Sequence, residues 1–172
     1  MSTLKILGID PGMRNLGYGV ICFNEENNEI TIERCGILKV PMKFKGNDAL
    51  LYMKNEVETL FNIELFSDIN KCVVEVPRAS FGAIQAWALI PVGVVAGFCM
   101  SHFETEDIVL CSPSEWNKAK KKEKTHALLQ KELGDKSTWK YHIEPKNEKH
   151  KEHILDAIGI AYWHLKQEYI GN

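Results

Sequence analysis

The first strand and the turn after it constrain the fold of this chain more than any other feature. From Leu4 to Ile9 every residue except one lysine is apolar or glycine, which is typical of a buried strand. The next residues, Asp10-Pro11-Gly12, predict a tight turn, because Pro11 sets φ and Gly12 tolerates positive φ. Asp10 should therefore end a buried strand. A carboxylate there is costly unless it is hydrogen-bonded, paired or bound to a cation.

Composition indicates an ordinary globular chain. A length of 172 residues favours one domain, 1–172, and 45% apolar with 26% charged residues are usual values. The net charge of −2 rules out a strongly basic overall field of the kind that attracts nucleic acid. Five cysteines without a Cys-x-x-Cys spacing favour a reducing compartment, with neither disulfides nor zinc. We therefore expect a cytoplasmic protein.

Residues 79–103 contain no charged side chain, and this 25-residue length could span a bilayer. Several polar residues and Pro91 interrupt the stretch, and it directly follows a strand that ends in Glu75. We therefore favour a buried, closely packed helix that is kinked or broken near Pro91.

The remaining elements predict an α/β fold. Three strands with short connections indicate an antiparallel meander, and a helix before the fourth strand indicates that it runs parallel to the first. The predicted strands are 4–9, 16–23, 30–40, 71–76 and 107–110. The predicted helices are 48–66, 79–103, 125–133 and 148–166, with a serine-capped helix start at 112 and a polar loop over 134–147.

Two further carboxylates share the unusual setting of Asp10. Glu75 ends a short β-branched strand, and Asp156 interrupts the apolar run of the last helix, with His153 one turn before it. Each could instead be an ordinary turn or surface residue. If the two strands are parallel neighbours and the helix crosses them, however, all of these side chains converge. Such a cluster suits Mg²⁺, and paired ions of this kind can cleave a phosphodiester.

A lysine-rich segment suggests the substrate. Eleven of the 21 basic residues lie between Lys118 and Lys151, and Trp116, Trp139 and Tyr141 lie among or beside them. Lysines bind phosphates and aromatic rings can stack on unpaired bases, although a solvated loop also explains such a run. The lysines nearest the start of this segment are Lys118, Lys120, Lys121, Lys122 and Lys124.

In three segments the chain resembles the RuvC Holliday-junction resolvases, with matching order, spacing and length. The segments are Gly8–Gly12 with Gly17–Val20, Val73–Glu75, and His153–Ala161. The resemblance implies an RNase H-like fold, with a mixed five-stranded sheet of three antiparallel and then parallel strands and helices on both faces. It also implies a homodimer that nicks two opposed strands of a four-way DNA junction during recombination or repair.

The resemblance further implies roles for particular residues. Asp10, Glu75 and Asp156 would be acidic ligands of Mg²⁺, which Mn²⁺ can replace, and His153 would bind metal or position water. Lys124 would act catalytically near the scissile phosphate.

The DNA contacts and the dimer interface are implied in the same way. Lys118 matches a second lysine that the family places near the scissile phosphate, and the 79–103 helix matches the dimer interface. Where the family often carries an aromatic wedge, this chain has Arg78, and the nearest aromatic residue is Phe81. Arg78, Phe81 and the lysines from Lys118 to Lys124 are therefore the candidate DNA-binding residues.

Other functions remain alternatives at this stage. An RNase H acting on RNA–DNA hybrids, a broader nuclease for flaps and forks, and a junction-binding protein without activity all fit the pattern. The first motif also resembles the phosphate-binding hairpin of actin-like ATPases and sugar kinases, but those folds need a second, duplicated domain. The resemblance would add a branch-migration helicase as a partner, and a bacterial or phage source, with an organelle as the alternative.

Overall fold

The computed structural model describes residues 3–63, 66, 68–76, 83–117, 122–134 and 139–171, with only the backbone at 83–87 and at Lys122. The strands are β1 (Thr3–Asp10), β2 (Asn15–Asn24), β3 (Glu29–Lys39), β4 (Lys71–Glu75), β5 (Ile108–Cys111) and β6 (Tyr141–Ile143). The helices are α1 (Gly46–Phe61), α2 (Ala83–Met100), α3 (Pro113–Trp116), α4 (Lys122–Leu133) and α5 (Glu148–Leu165). A 3₁₀ turn at Thr105–Asp107 precedes β5, and a π-helical turn at Lys166–Ile170 follows α5.

The strands form one mixed sheet in the order β5-β4-β1-β2-β3-β6. Strands β1, β2 and β3 pair antiparallel, whereas β4 is parallel to β1 and β5 is parallel to β4. This arrangement confirms the predicted meander followed by parallel strands.

The predicted number of five strands is wrong, because a sixth strand lies in the segment that we expected to be a loop. Strand β6 pairs parallel with β3 through Cys35↔Tyr141 and Gly36↔Ile143, and the Cys35 amide donates to the carbonyl of Lys140 at 3.1 Å. Three residues are too few to show an alternating pattern. The strand exists because it docks on the free edge of β3.

Helices cover both faces of the sheet. Because side chains alternate along a strand, Leu7 and Ile9 of β1 face one way, while Ile6, Gly8 and Asp10 face the other. The first face packs against α1 and α2, in a cluster that includes Ala49, Met53, Val57, Leu60, Val95, Ala96 and Cys99. The second face packs against α5, in a cluster that includes Val73, Trp116, Ile154, Leu155, Ile158 and Leu165.

The charge-free helix is not broken at Pro91, and it is less buried than predicted. Helix α2 continues through Pro91, and over residues 88–100 it is buried on one face only. Val95 and Cys99 lie in the core, but Ile90 is 54% exposed and Val94 is 37% exposed. Among the helices that the structure describes, none is long and apolar enough to cross a bilayer. The start of the predicted segment, 79–82, lies outside the described residues.

The five cysteines are free thiols, and four of them are buried. Burial raises the pKa of Cys35, Cys99 and Cys111 to about 12, so these side chains are neutral near pH 7. They pack as small apolar residues, as their apolar sequence neighbours indicate.

Glu33 on β3 carries a testable pH dependence. Burial alone raises the pKa of Glu33, but hydrogen bonds from Cys22, Lys5 and Arg34 outweigh it and lower that pKa to about 2. Because this lies below the usual 4.5, the ionised group contributes stability above about pH 4.5, which is lost as the pH falls toward 2. We expect Glu33→Gln to lower the free energy of unfolding near neutral pH, and the deficit to shrink in acid. Urea titrations of both proteins near pH 7 and near pH 3 measure the free energy of unfolding. An equal difference between parent and variant at the two pH values would contradict the lowered pKa of Glu33.

Candidate active site

Asp10 and Glu75 are the last residues of two neighbouring parallel strands. Strands β1 and β4 are in register at Ile9↔Val74, so each acid follows one member of that pair. Ile9 and Val74 point into the core beside α1 and α2, and alternation therefore directs both carboxylates to the opposite face, where α5 lies.

Glycines on β1 and β2 bring helix α5 directly onto the sheet. A Cβ on Gly8 would lie 1.9 Å from the carbonyl oxygen of Ala157, and one on Gly17 would lie 2.1 Å from that of His153. No real Cβ approaches backbone so closely, so any larger residue at these positions would displace the helix. The absence of side chains here is what places His153 next to the end of β1.

His153 pairs with Asp10. The two atoms nearest each other, His153 Nδ1 and Asp10 Oδ2, are 2.7 Å apart, and the side chains are only 26% and 14% exposed. Asp10 is therefore held both by the turn behind it and by an imidazole from the last helix.

Asp156 lies one turn further along α5 and is almost completely buried, with 3% of its side chain exposed. Its Oδ1 is 2.8 Å from Nε2 of His126, a residue of α4 that the sequence analysis missed. His126 lies two residues after Lys124, and no periodicity or motif marks it, because its role depends on the packing of α4 against α5. Ile160, one turn further along α5, is also fully buried.

Glu75 accepts a hydrogen bond from the indole of Trp116, with Nε1 2.5 Å from Oε2. Trp116 ends helix α3, where Glu115 accepts hydrogen bonds from the amide and hydroxyl of Ser112 at the predicted helix start. Trp116 and Trp139 are only 7% and 6% exposed. Our interpretation of these two rings as surfaces for stacking bases is therefore wrong, because both belong to the core.

The four predicted ligands are three carboxylates and the imidazole of His153, and this donor chemistry suits a hard divalent cation. Among the residues that the structure describes, however, no three side chains of His, Cys, Asp or Glu are grouped so as to hold a metal ion. Asp10, Asp156 and Glu75 are instead held by ring nitrogens. A carboxylate has two oxygens with several lone-pair sites, so a contact from one ring nitrogen is compatible with cation binding by the same group.

Of the five lysines from Lys118 to Lys124, the structure describes the side chain of Lys124. Lys124 is exposed in the first turn of this helix, two residues before His126. The other candidates cannot be placed in the same way. Lys118, Lys120, Lys121, Arg78 and Phe81 lie outside the described residues, and only the backbone of Lys122 is described.

The strand order, the helix across β1 and β2 and the acidic strand ends together define an RNase H-like α/β fold. Thermus thermophilus RuvC in complex with a Holliday junction substrate aligns over 98% of this chain and 97% of its own, with a TM-score of 0.69 and 19% identity. A second structure of Thermus thermophilus RuvC covers 94% and 93%, with a TM-score of 0.65 and 19% identity.

A viral enzyme shares the same fold. The Fowlpox virus resolvase in complex with its substrate Holliday junction DNA covers 96% of this chain and 99% of its own, with a TM-score of 0.56 and 10% identity. No family model matches the sequence. At these identities the likeness establishes the fold alone. It confirms the expectation that this chain shares the fold of RuvC.

Proposed function

We propose that the chain, as a single nuclease domain over 1–172, is a divalent-metal-dependent endonuclease that resolves four-way DNA junctions by paired nicks. One observation carries this proposal: Asp10 and Glu75 end adjacent parallel strands, with Asp10 in contact with His153, in a fold shared with two proteins whose structures are complexes with Holliday junctions. We assign these acids to the scissile phosphodiester on that basis.

Asp10, Glu75, His153 and Asp156 are the residues that would hold Mg²⁺, with Mn²⁺ as a substitute. When bound, such ions activate a water nucleophile and stabilise the departing 3′ oxygen. The chain contributes orientation: the contact between His153 and Asp10 fixes one carboxylate, and burial keeps Asp156 out of bulk water.

The lysines would supply affinity for DNA. Lys124 is exposed at the start of α4, directly after the segment that contains Lys118, Lys120 and Lys121. A local basic strip on a chain with a net charge of −2 favours binding that depends on phosphate contacts and junction shape rather than on base edges. We therefore expect binding to weaken steeply with salt.

A nicking assay tests this function. The substrates are a synthetic four-way junction, a linear duplex of the same sequence and an RNA–DNA hybrid, each with Mg²⁺ and with a chelator. We expect symmetric nicks in the junction that require the metal, and little cleavage of the duplex or hybrid. Preferential cleavage of the hybrid would indicate an RNase H, and junction binding without cleavage in Mg²⁺ or Mn²⁺ would indicate a binding protein.

The exposed face of α2 is proposed as the homodimer interface, since paired nicks need two active sites. Ile90 and Val94 lie one turn apart on this face and are 54% and 37% exposed. We expect the double variant Ile90→Glu with Val94→Glu to weaken dimerisation by about 100-fold, because two carboxylates would have to be desolvated. Analytical ultracentrifugation measures the change.

A matched control for this prediction is Leu51→Glu, which places one charge at a 58%-exposed apolar residue of α1. This control should sediment as the parent does. An unchanged dimer in the double variant would place the interface elsewhere.

A further inference from the structure

We propose that Trp116 is a positioning residue that orients Glu75 for cation binding. The inference rests on the proposed function, because it concerns the same carboxylates. It gives Trp116 a role at the acids in place of the base stacking that its position beside the lysine-rich segment suggested.

The contact is directional and largely shielded from water. The indole Nε1–H can only donate, and it lies 2.5 Å from Oε2 of Glu75. The ring is 7% exposed, and Glu75 is partly buried at the end of β4. A hydrogen bond to an ionised oxygen in such surroundings is stronger than one between neutral groups. It therefore restricts the rotation of a carboxylate that has three side-chain torsions.

The ring itself is held by helix α5. Atoms of the Trp116 ring lie 3.0 and 3.2 Å from the position that a Cβ on Gly159 would take, and a Leu129 methyl lies 3.1 Å from it. Glycine at position 159 thus provides the space in which the indole lies. The same helix carries His153 and Asp156, so Trp116 links Glu75 to the element that supplies the other donors.

A second observation separates this role from simple packing. Trp139 is as deeply buried as Trp116, at 6% exposed, yet its Nε1 has no hydrogen-bond partner among the described residues. The core thus contains one indole whose N–H engages an acid at the site and one whose N–H does not. The chain therefore provides its own control for the loss of a buried indole.

The first test measures Mn²⁺ affinity by calorimetry in the parent, Trp116→Phe and Trp139→Phe. Loss of a hydrogen bond to a metal-binding carboxylate typically weakens metal binding by about 10- to 100-fold, which we expect for Trp116→Phe. Trp139→Phe should stay within about twofold of the parent. An affinity of Trp116→Phe within that same range would overturn the assignment.

The second test reads the Trp116 signal in proteins that keep this residue, and it uses Trp116→Phe only to assign the peak. The indole N–H resonances of the four tryptophans are recorded by ¹H–¹⁵N NMR, and Trp116→Phe identifies the relevant peak. In Glu75→Ala we expect this peak to move upfield while that of Trp139 stays in place. Substoichiometric Mn²⁺ should broaden the Trp116 peak before that of Trp139. A Trp116 peak insensitive to both changes would overturn the proposal.

The two proposals fail in different ways. A parent that binds Mn²⁺ but nicks no junction contradicts the nuclease function, while a Trp116-dependent Mn²⁺ affinity still supports the positioning role. A parent that nicks junctions alongside a Trp116→Phe variant with unchanged Mn²⁺ affinity overturns the positioning role alone.

Discussion

Replacing Asp10 by asparagine is expected to abolish nicking of a four-way junction while leaving junction binding intact. Asp10 ends β1 and contacts His153 at 2.7 Å, so the neutral amide would remove a charge from the centre of the site without changing its shape. Electrostatic stabilisation by a bound cation amounts to several kcal/mol in the transition state, so we expect the nicking rate to fall by about 1,000-fold.

Single-turnover nicking and an electrophoretic binding titration, both on the same junction, measure this prediction. Binding should change by no more than about twofold, because affinity comes from phosphate contacts elsewhere. Asp48→Asn, in the first turn of α1, is the matched control and should nick at the parental rate. If Asp10→Asn retained the parental nicking rate in Mg²⁺, the assignment of the acids would be wrong.

Substituting Gly8 by alanine is expected to destabilise the fold and to disturb the site together. The added Cβ would lie 1.9 Å from the carbonyl oxygen of Ala157 and 2.8 Å from the amide of Ala161. Both are backbone atoms of α5, so the whole helix must move away from the sheet. We expect a loss of about 3 kcal/mol or more, at the upper end for overpacking, and a Tm lower by about 10 °C.

Urea and thermal unfolding of the Gly8→Ala variant measure this loss, and the nicking assay reports the displacement of His153. Gly46→Ala is the control, because its φ of +52° favours glycine but nothing lies within 4 Å of an added Cβ. Its cost should be about 1 kcal/mol, from the backbone alone. A Gly8→Ala variant no less stable than Gly46→Ala would show that close helix approach does not define the site.

Local sequence patterns predicted most of the sheet. The apolar run of β1, the short turns between the first three strands and the helix before β4 each act over a few residues, and the observed meander and parallel strands agree with them. Strand β6 was missed because it depends on the edge of β3 rather than on a pattern of its own. The half-exposed face of α2 was missed because the absence of charge does not distinguish burial by the same chain from a face left open.

In the candidate site, too, local patterns indicated some residues and only tertiary packing identified others. Asp10, Glu75, His153 and Asp156 could be selected because each follows or interrupts an apolar run, or lies one turn from such a residue on a helix. Two of the nitrogen partners of these acids, Trp116 and His126, could not be identified from the sequence. Trp116 meets Glu75 across 41 positions and His126 meets Asp156 across 30, and only the packing of α3 and α4 against α5 creates these contacts.

The sequence by itself determined which residues carry charge into apolar surroundings, and in which order the strands and helices follow. Those properties depend on hydrophobic periodicity and turn chemistry, which act between near neighbours. The tertiary structure alone decided what each acid touches, because Gly8 and Gly17 let α5 lie on the sheet and Gly159 gives the ring of Trp116 its place. Contacts between distant segments depend on the shapes of both partners, which no local pattern encodes.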